Sequence, residues 1–218
     1  MTLSVIVADD HAIVRDGLRM LLDSQADISV DGVAATGREA VRLIEKVRPH
    51  VAVMDISMPD LNGIEAIQQL APRFPDLRFV VLSIHAARPY VDRALRAGAH
   101  AYLIKETAGL KVVEAVRAVS RGERFLSRRI DDMLAAAKPG GSDRGEGAGG
   151  PLETLSPRER EVLQLVAEGK TSQEIAGTLS ISPKTVDSYR SRLMAKIGVS
   201  DIPGLVKFAI RQGVISLE

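Results

Sequence analysis

The sequence predicts an α/β unit built on a doubly wound, five-stranded parallel sheet, followed by a small all-α unit of four helices. Three observations predict it. Five short apolar runs alternate with helical patterns in the first part of the chain. A glycine-rich stretch from Lys138 to Pro151, KPGGSDRGEGAGGP, then has six glycines in fourteen residues. Beyond it, helix-start signals recur at short intervals with no strand pattern between them.

The runs Leu3–Val7, Ile28–Ala34, Val51–Met54, Phe79–Leu82 and Ala101–Ile104 are rich in Val, Ile and Leu and bounded by polar residues. Between them, spacings such as Val14, Leu18, Leu21, Leu22 and Val112, Val113, Val116, Val119 are helical. Strand-then-helix repetition implies a parallel sheet covered on both faces. The glycine-rich stretch cannot bury enough apolar surface to offset its ordering entropy and reads as a flexible linker; a coil of its length spans roughly 20 Å. After it, Ser156-Pro-Arg-Glu159 and Thr171-Ser-Gln-Glu174 are capping boxes, Ser182-Pro183 starts a third helix and Asp201 caps a fourth, with Gly169 and Gly198 at helix ends. The expected division is 1–126, a connector over 127–151 with a short helix ahead of the glycine-rich segment, and 152–218.

Composition narrows the function. The chain of 218 residues has no cysteine, which excludes disulfides, thiolate metal sites and cysteine nucleophiles. No apolar run approaches transmembrane length and the N-terminus lacks signal-peptide features, so a cytoplasmic protein without membrane association is expected. The net charge of +1 is uninformative about nucleic acid, so any basic footprint must be local.

In a doubly wound sheet the ligand site lies outside the carboxyl ends of the strands. There the sequence places Asp9 and Asp10 after the first strand, Asp55 after the third, Ser83 after the fourth and Lys105 after the fifth. Crowded carboxylates need a cation, and hard oxygen donors suit Mg²⁺. Lys105 and Ser83 suit phosphoryl oxygens, so the set supports attack by a carboxylate on a phosphoryl donor. Any one of these residues alone would read as an ordinary surface acid or base; the signal comes from five at successive strand ends.

These residues, with Met58-Pro59, Asn62-Gly63 and Tyr102-Leu-Ile-Lys105, resemble the receiver domain of two-component response regulators over about residues 1–126. The resemblance implies a flavodoxin-like fold with Asp55 as phosphoacceptor. It implies Mg²⁺ held by Asp10, Asp55 and the carbonyl of Ser57, with Asp9 acting through water, and Ser83 and Tyr102 as a switch pair. Glu106 follows Lys105 where many receivers have proline, and Ser83 stands for the commoner threonine. Ser57 and His85 flank the site and read either as tuning residues or as ordinary loop polarity.

Residues 155–215 are similar to LuxR-type DNA-binding domains through Leu155-Ser-Pro-Arg-Glu-Arg-Glu-Val-Leu, Gly169-Lys-Thr-Ser-Gln-Glu-Ile-Ala and Ser182-Pro-Lys-Thr-Val. Joined to a receiver, this is the NarL/FixJ class. Ser172–Leu179 reads as scaffold helix, Ser180–Ser182 as turn with Ile181 buried, and Pro183–Ile197 as recognition helix, with Val186, Leu193 and Ile197 facing the core. Lys184, Thr185, Asp187, Ser188 and Ser191 then face the groove, and Arg190 and Arg192 phosphates. Asp187 reads either as a cytosine acceptor or as a helix acid paired with Arg190 or Ser191. From Ser182 to Gln212 six cations (Lys184, Arg190, Arg192, Lys196, Lys207, Arg211) face two acids, net +4, against −2 for Glu153–Ile181 (three cations, five acids). The expected function is therefore a transcriptional regulator and not an enzyme. The two resemblances imply phosphorylation by a sensor histidine kinase, binding to a double-stranded DNA operator and a homodimer when phosphorylated. The competing readings are a phosphorylation-independent adaptor and an aspartyl-phosphate hydrolase of the haloacid dehalogenase type, the latter disfavoured because Asp55 follows the third strand and Ser57 stands two residues on.

Overall fold

The computed structural model describes residues 2–109, 111–136 and 150–215. Backbone contacts divide the chain into two units, Met1–Pro139 and Gly140–Glu218. Most of the glycine-rich stretch, Lys138 to Gly149, lies outside the described residues. No described helix is long and apolar enough to cross a membrane.

The first unit runs β1 (Leu3–Ala8), α1 (Ala12–Asp23), β2 (Ile28–Ala34), α2 (Gly37–Val47), β3 (Val51–Asp55), α3 (Gly63–Leu70), β4 (Arg78–Ser83), α4 (Arg88–Ala97), β5 (Ala101–Ile104), α5 (Lys105–Ala108), α6 (Lys111–Ser120), β6 (Phe125–Leu126) and α7 (Arg128–Ala136). All strand pairs are parallel, in the order β2-β1-β3-β4-β5-β6. The predicted sheet of five strands thus gains a sixth at its edge. β6 has two residues, too few for a hydrophobic period to register.

Side-chain alternation explains the two faces. Val5 and Val7 of β1, with Val51, Val53, Val80 and Leu82, pack against Leu18 and Leu22 of α1 and Val112 and Val116 of α6. Ile6, Ala52, Met54, Phe79 and Val81 pack on the other face against Ile44 of α2, Ile67 of α3 and Val91 of α4. Strands buried on both sides read as continuous apolar runs, which is the pattern the sequence shows. Helix α7 belongs to this unit, since Ile130 is fully buried in the second of these clusters and Met133 and Leu134 pack against it.

The second unit opens with a 3₁₀ turn at Pro151–Thr154, followed by α8 (Pro157–Ala167), α9 (Ser172–Leu179), α10 (Pro183–Ile197) and α11 (Ile202–Arg211). Each predicted cap forms. Ser156 and Thr171 complete reciprocal capping boxes with Glu159 and Glu174, Ser182 accepts from Thr185 N and Asp201 from Gly204 N. Gly169 and Gly198 take the left-handed conformation at φ 83° and 70°, which glycine adopts without steric cost. The core joins Leu163, Ile175, Leu179, Val186, Leu193 and Leu205; Ile181 and Ile197 pack on it half-buried rather than fully buried.

Candidate functional site

Strand register assembles the first site. Ala8 pairs with Met54, Asp55 with Leu82 and Ser83 with Ile104, so Asp9, Asp55, Ser83 and Lys105 fall in one row at the carboxyl edge. Asp9 and Ser83 are fully buried and Asp55 is 2% exposed. Lys105 Nζ sits 2.8 Å from Asp9 Oδ2 and 2.8 Å from Asp55 Oδ2, one ammonium neutralising two buried carboxylates. Burial raises the Asp55 pKa, against the pull of Lys105. Burial also works against the Lys105 charge, but the Asp55 and Asp9 carboxylates outweigh it and hold its pKa above the ordinary lysine value. A backbone hydrogen bond at Ser57 further favours the Asp55 carboxylate.

The loop after β1 is held from two sides. Asp9 Oδ1 accepts from His11 N at 3.0 Å, and Arg15 reaches back from α1 to donate to the Asp9 carbonyl at 2.7 Å and, more weakly, to that of Asp10 at 3.4 Å. Sequence reasoning missed both residues. A metal-ligand side chain beside an acid pair could have flagged His11, whereas the backward reach of Arg15 leaves no periodic signal. At α3, Gly63 N donates to the Ile56 carbonyl at 2.9 Å. A Cβ on Gly63 would lie 2.0 Å from the Asp55 carbonyl oxygen, so only glycine allows this approach.

The β4–α4 loop closes the pocket's far side. Ser83 Oγ accepts from His85 N at 3.0 Å, and the His85 ring stacks on Tyr90 with centroids 4.3 Å apart. Tyr102, fully buried, donates its hydroxyl to the His85 carbonyl at 2.7 Å, and burial pushes its pKa up to about 12. Peptide bonds among the described residues are trans, that between Lys105 and Glu106 included.

The donor set fits a hard cation. Ligand atoms of Asp9, Asp10, His11 and Asp55 all lie within 4.8 Å of one another, and an octahedral oxygen shell at 2.0–2.1 Å spans about 4 Å from corner to corner. Carboxylates dominate the set, as Mg²⁺ prefers.

The second site is the face of α10. Lys184, Asp187, Ser188, Ser191 and Arg192 are exposed, and Thr185 and Arg190 half-buried. Several are already engaged. Thr185 Oγ1 lies 2.8 Å from the capping Ser182 Oγ, and Ser188 Oγ donates to the Lys184 carbonyl at 2.9 Å. Asp187 accepts from Ser172 Oγ of α9 at 2.7 Å, so its partner is neither Arg190 nor Ser191. Arg190 donates to the same hydroxyl at 3.5 Å. Lys196, counted above in the basic footprint, instead pairs with Glu159 at 2.7 Å. Burial works against the Glu159 charge, yet Lys196 and Ser156 outweigh it and hold its pKa below the usual carboxylate value.

Comparison with known proteins assigns a family to each of the two units. A family model described as "Response regulator receiver domain" matches residues 5–117, and one described as "Bacterial regulatory proteins, luxR family" matches 153–209. The chain is 40% identical to the transcriptional regulatory protein YhcZ of Bacillus subtilis, covering 96% of each. It is 33% identical to the response regulator UvrY of Escherichia coli, covering 99% of this chain and 97% of that one. Among solved structures it is similar to RcsB of Salmonella typhimurium, with a TM-score of 0.58 and 30% identity over 95% of this chain and 97% of that one. An RcsB–DNA complex gives a TM-score of 0.59 and 28% identity over 95% of this chain and 98% of that one.

Proposed function

The chain belongs to the response regulators that join a receiver domain to a LuxR-family DNA-binding domain, and on that premise we propose that Asp55 accepts a phosphoryl group whose arrival controls operator binding. The observation that carries this is the single ammonium of Lys105 set 2.8 Å from both Asp9 and Asp55. An Asp55 oxygen attacks phosphorus as the P–N bond to the kinase histidine, or the P–O bond to the carboxylate of a small acyl phosphate, breaks and that group departs. Lys105 then exchanges one carboxylate partner for a phosphoryl oxygen, and the Ser83 hydroxyl donates to another. Asp10 and Asp55, with the Ser57 carbonyl, would hold Mg²⁺ and Asp9 would reach it through water; bound there, the ion supplies charge neutralisation for the incoming phosphoryl group. Ser83 and Tyr102 form the switch, linked through the two hydrogen bonds to His85.

On this reading the phosphodonor is a sensor histidine kinase and the phosphorylated chain is a cytoplasmic homodimer on double-stranded DNA. It turns over no metabolite and is a regulator rather than an enzyme. Its functional division is a receiver at 1–126, a connector at 127–151 whose first helix, α7, packs on the receiver core, and a DNA-binding domain at 152–218. Lys184, Thr185, Asp187, Ser188 and Ser191 meet bases and Arg190 and Arg192 phosphates. Coupling between the sites amounts to ~1–3 kcal/mol, or about 5–150-fold in DNA affinity. Incubation with acetyl phosphate and Mg²⁺, read by intact mass, tests the assignment: the parent gains one phosphoryl group and Asp55→Asn gains none. Equal labelling of Asp55→Asn would overturn it. A phosphorylation-independent adaptor would label normally yet bind DNA equally well with and without the phosphoryl group.

A further inference from the structure

His11 has no part in the phosphoryl chemistry above, yet its ring nitrogen lies inside the acid cluster. Nδ1 donates to Asp10 Oδ1 at 2.7 Å and lies 3.5 Å from Asp9 Oδ1. It falls with the Asp9, Asp10 and Asp55 ligand atoms in the set that spans no more than 4.8 Å. Adjacent ligands around an octahedral ion bound at 2.0–2.1 Å stand about 2.9 Å apart, and the two His11 distances bracket that value. The backbone brings the ring there. His11 is the N-cap of α1, and its side chain makes no capping bond, while its own N–H is tied to Asp9 Oδ1. The other histidines are engaged elsewhere. The Nδ1 atoms of His50 and His100 accept backbone N–H bonds from Ser4 and Phe79, and His85 stacks on Tyr90.

We propose that His11 makes this a mixed nitrogen–oxygen cation site, which takes borderline divalent transition ions such as Co²⁺ or Ni²⁺ through Nδ1 while Mg²⁺ binds through oxygen alone. The inference rests on the cation site proposed above and deepens it into a statement about selectivity. Imidazole is a good ligand for the later first-row ions and a poor one for Mg²⁺, which holds to oxygen donors and water. Ligation through Nδ1 would break its hydrogen bond to Asp10 and move the ring proton to Nε2, so a neutral ring joins the set without adding charge. The family chemistry needs only a hard ion; the ring beside the acids gives the same pocket a second preference. The receiver would then take up Co²⁺ or Ni²⁺ at concentrations where an all-oxygen pocket would hold Mg²⁺.

The test is a titration of the full-length protein with Mg²⁺ and with Co²⁺, by calorimetry, in the parent, His11→Ala and His11→Gln. The His11 side chain is 57% exposed, and melting curves check that both variants remain folded. Co²⁺ affinity should fall at least about tenfold in both variants, the lower end of what even indirect partners of a metal ligand are worth, while Mg²⁺ affinity stays within about twofold. Excess Mg²⁺ should displace Co²⁺ from the parent, which places both ions in one pocket. An unchanged ratio of Co²⁺ to Mg²⁺ affinity in both variants, with Mg²⁺ bound normally, overturns the role of His11 alone. So does an apparent Co²⁺ affinity that saturating Mg²⁺ leaves unweakened, because the ion then sits outside this pocket. A parent that binds no Mg²⁺, or an Asp10→Ala variant that binds it undiminished, overturns the cation site itself and this inference with it.

Discussion

In the receiver, the residues proposed to do chemistry are out of water: Asp9 is fully buried, Asp55 2% exposed and the Lys105 side chain 13% exposed. In the helical unit, those proposed to meet DNA mostly stand in water, with Lys184, Asp187, Ser188, Ser191 and Arg192 all exposed. The difference follows from the two tasks. Forming an acyl phosphate needs charges held in fixed relation at low dielectric, where each group's energy depends on the others. Meeting a polyanion needs accessible cations whose contributions accumulate nearly independently, through counterion release. Substitutions in the first site should therefore be costly and coupled, and those in the second mild and additive.

The largest effect should come from Lys105→Met, which leaves two buried carboxylates without their ammonium. Breaking a buried ion pair from one side costs about 3–5 kcal/mol. Chemical denaturation without divalent ions should show a loss of that size, and added Mg²⁺ should restore much of it by replacing the missing positive charge. A variant as stable as the parent in the absence of Mg²⁺ would show that the pocket is less enclosed than its burial implies, and the contrast between the units would weaken.

A pair of glycines sharpens the contrast at the next level down. Gly63 lies where an added Cβ would meet the Asp55 carbonyl oxygen at 2.0 Å, backbone against backbone, whereas Gly177 in α9 has nothing within 4 Å. Gly63→Ala should cost about 1–3 kcal/mol and slow labelling of Asp55, since α3 can retreat only by moving the strand end. Gly177→Ala should stabilise the protein by about 0.4–1 kcal/mol, because the helix is already compatible with alanine. Thermal melts of the two variants check both signs.

The same contrast explains what the sequence made legible. Caps are local chemistry, so Ser156, Thr171, Ser182 and Asp201 could be read directly, and with them the bounds of α9 and α10. The acid row was legible because a parallel sheet brings successive strand ends to one edge whatever the loops do. Contacts that cross between elements were not. Arg15 closing on the Asp9 carbonyl, Ser172 bonding Asp187 and Lys196 pairing with Glu159 each depend on how two backbones happen to approach, which no spacing within one helix encodes. Strand β6 escaped for a different reason, as two residues have no period.

The smallest effects lie within α10 and divide its cations into two kinds. Arg192 is exposed and stacks over Tyr189 at 4.7 Å, with one bond to the Ser188 carbonyl at 3.3 Å. No carboxylate within ion-pair distance binds it among the described residues, so its charge is available to a phosphate. Lys196, one turn further on, lies 2.7 Å from Glu159 Oε2, and Glu159 in turn caps α8 through Ser156. That lysine is the helical unit's counterpart of Lys105, a cation committed to holding a carboxylate inside the fold. Arg192→Ala should weaken DNA binding evenly across sequences and reduce the slope of log affinity against log salt by about one. Lys196→Ala should leave that slope unchanged and instead cost stability by about 1 kcal/mol or less, because the lysine end of the pair is open to solvent. Binding isotherms at four salt concentrations, on a randomised DNA duplex so that no operator need be known, separate the two. If Lys196→Ala lowers the slope as much as Arg192→Ala, the lysine abandons Glu159 for phosphate when DNA arrives. A cation paired inside the fold would then count toward the DNA footprint after all, and the division drawn between buried and exposed charge would fail within this one helix.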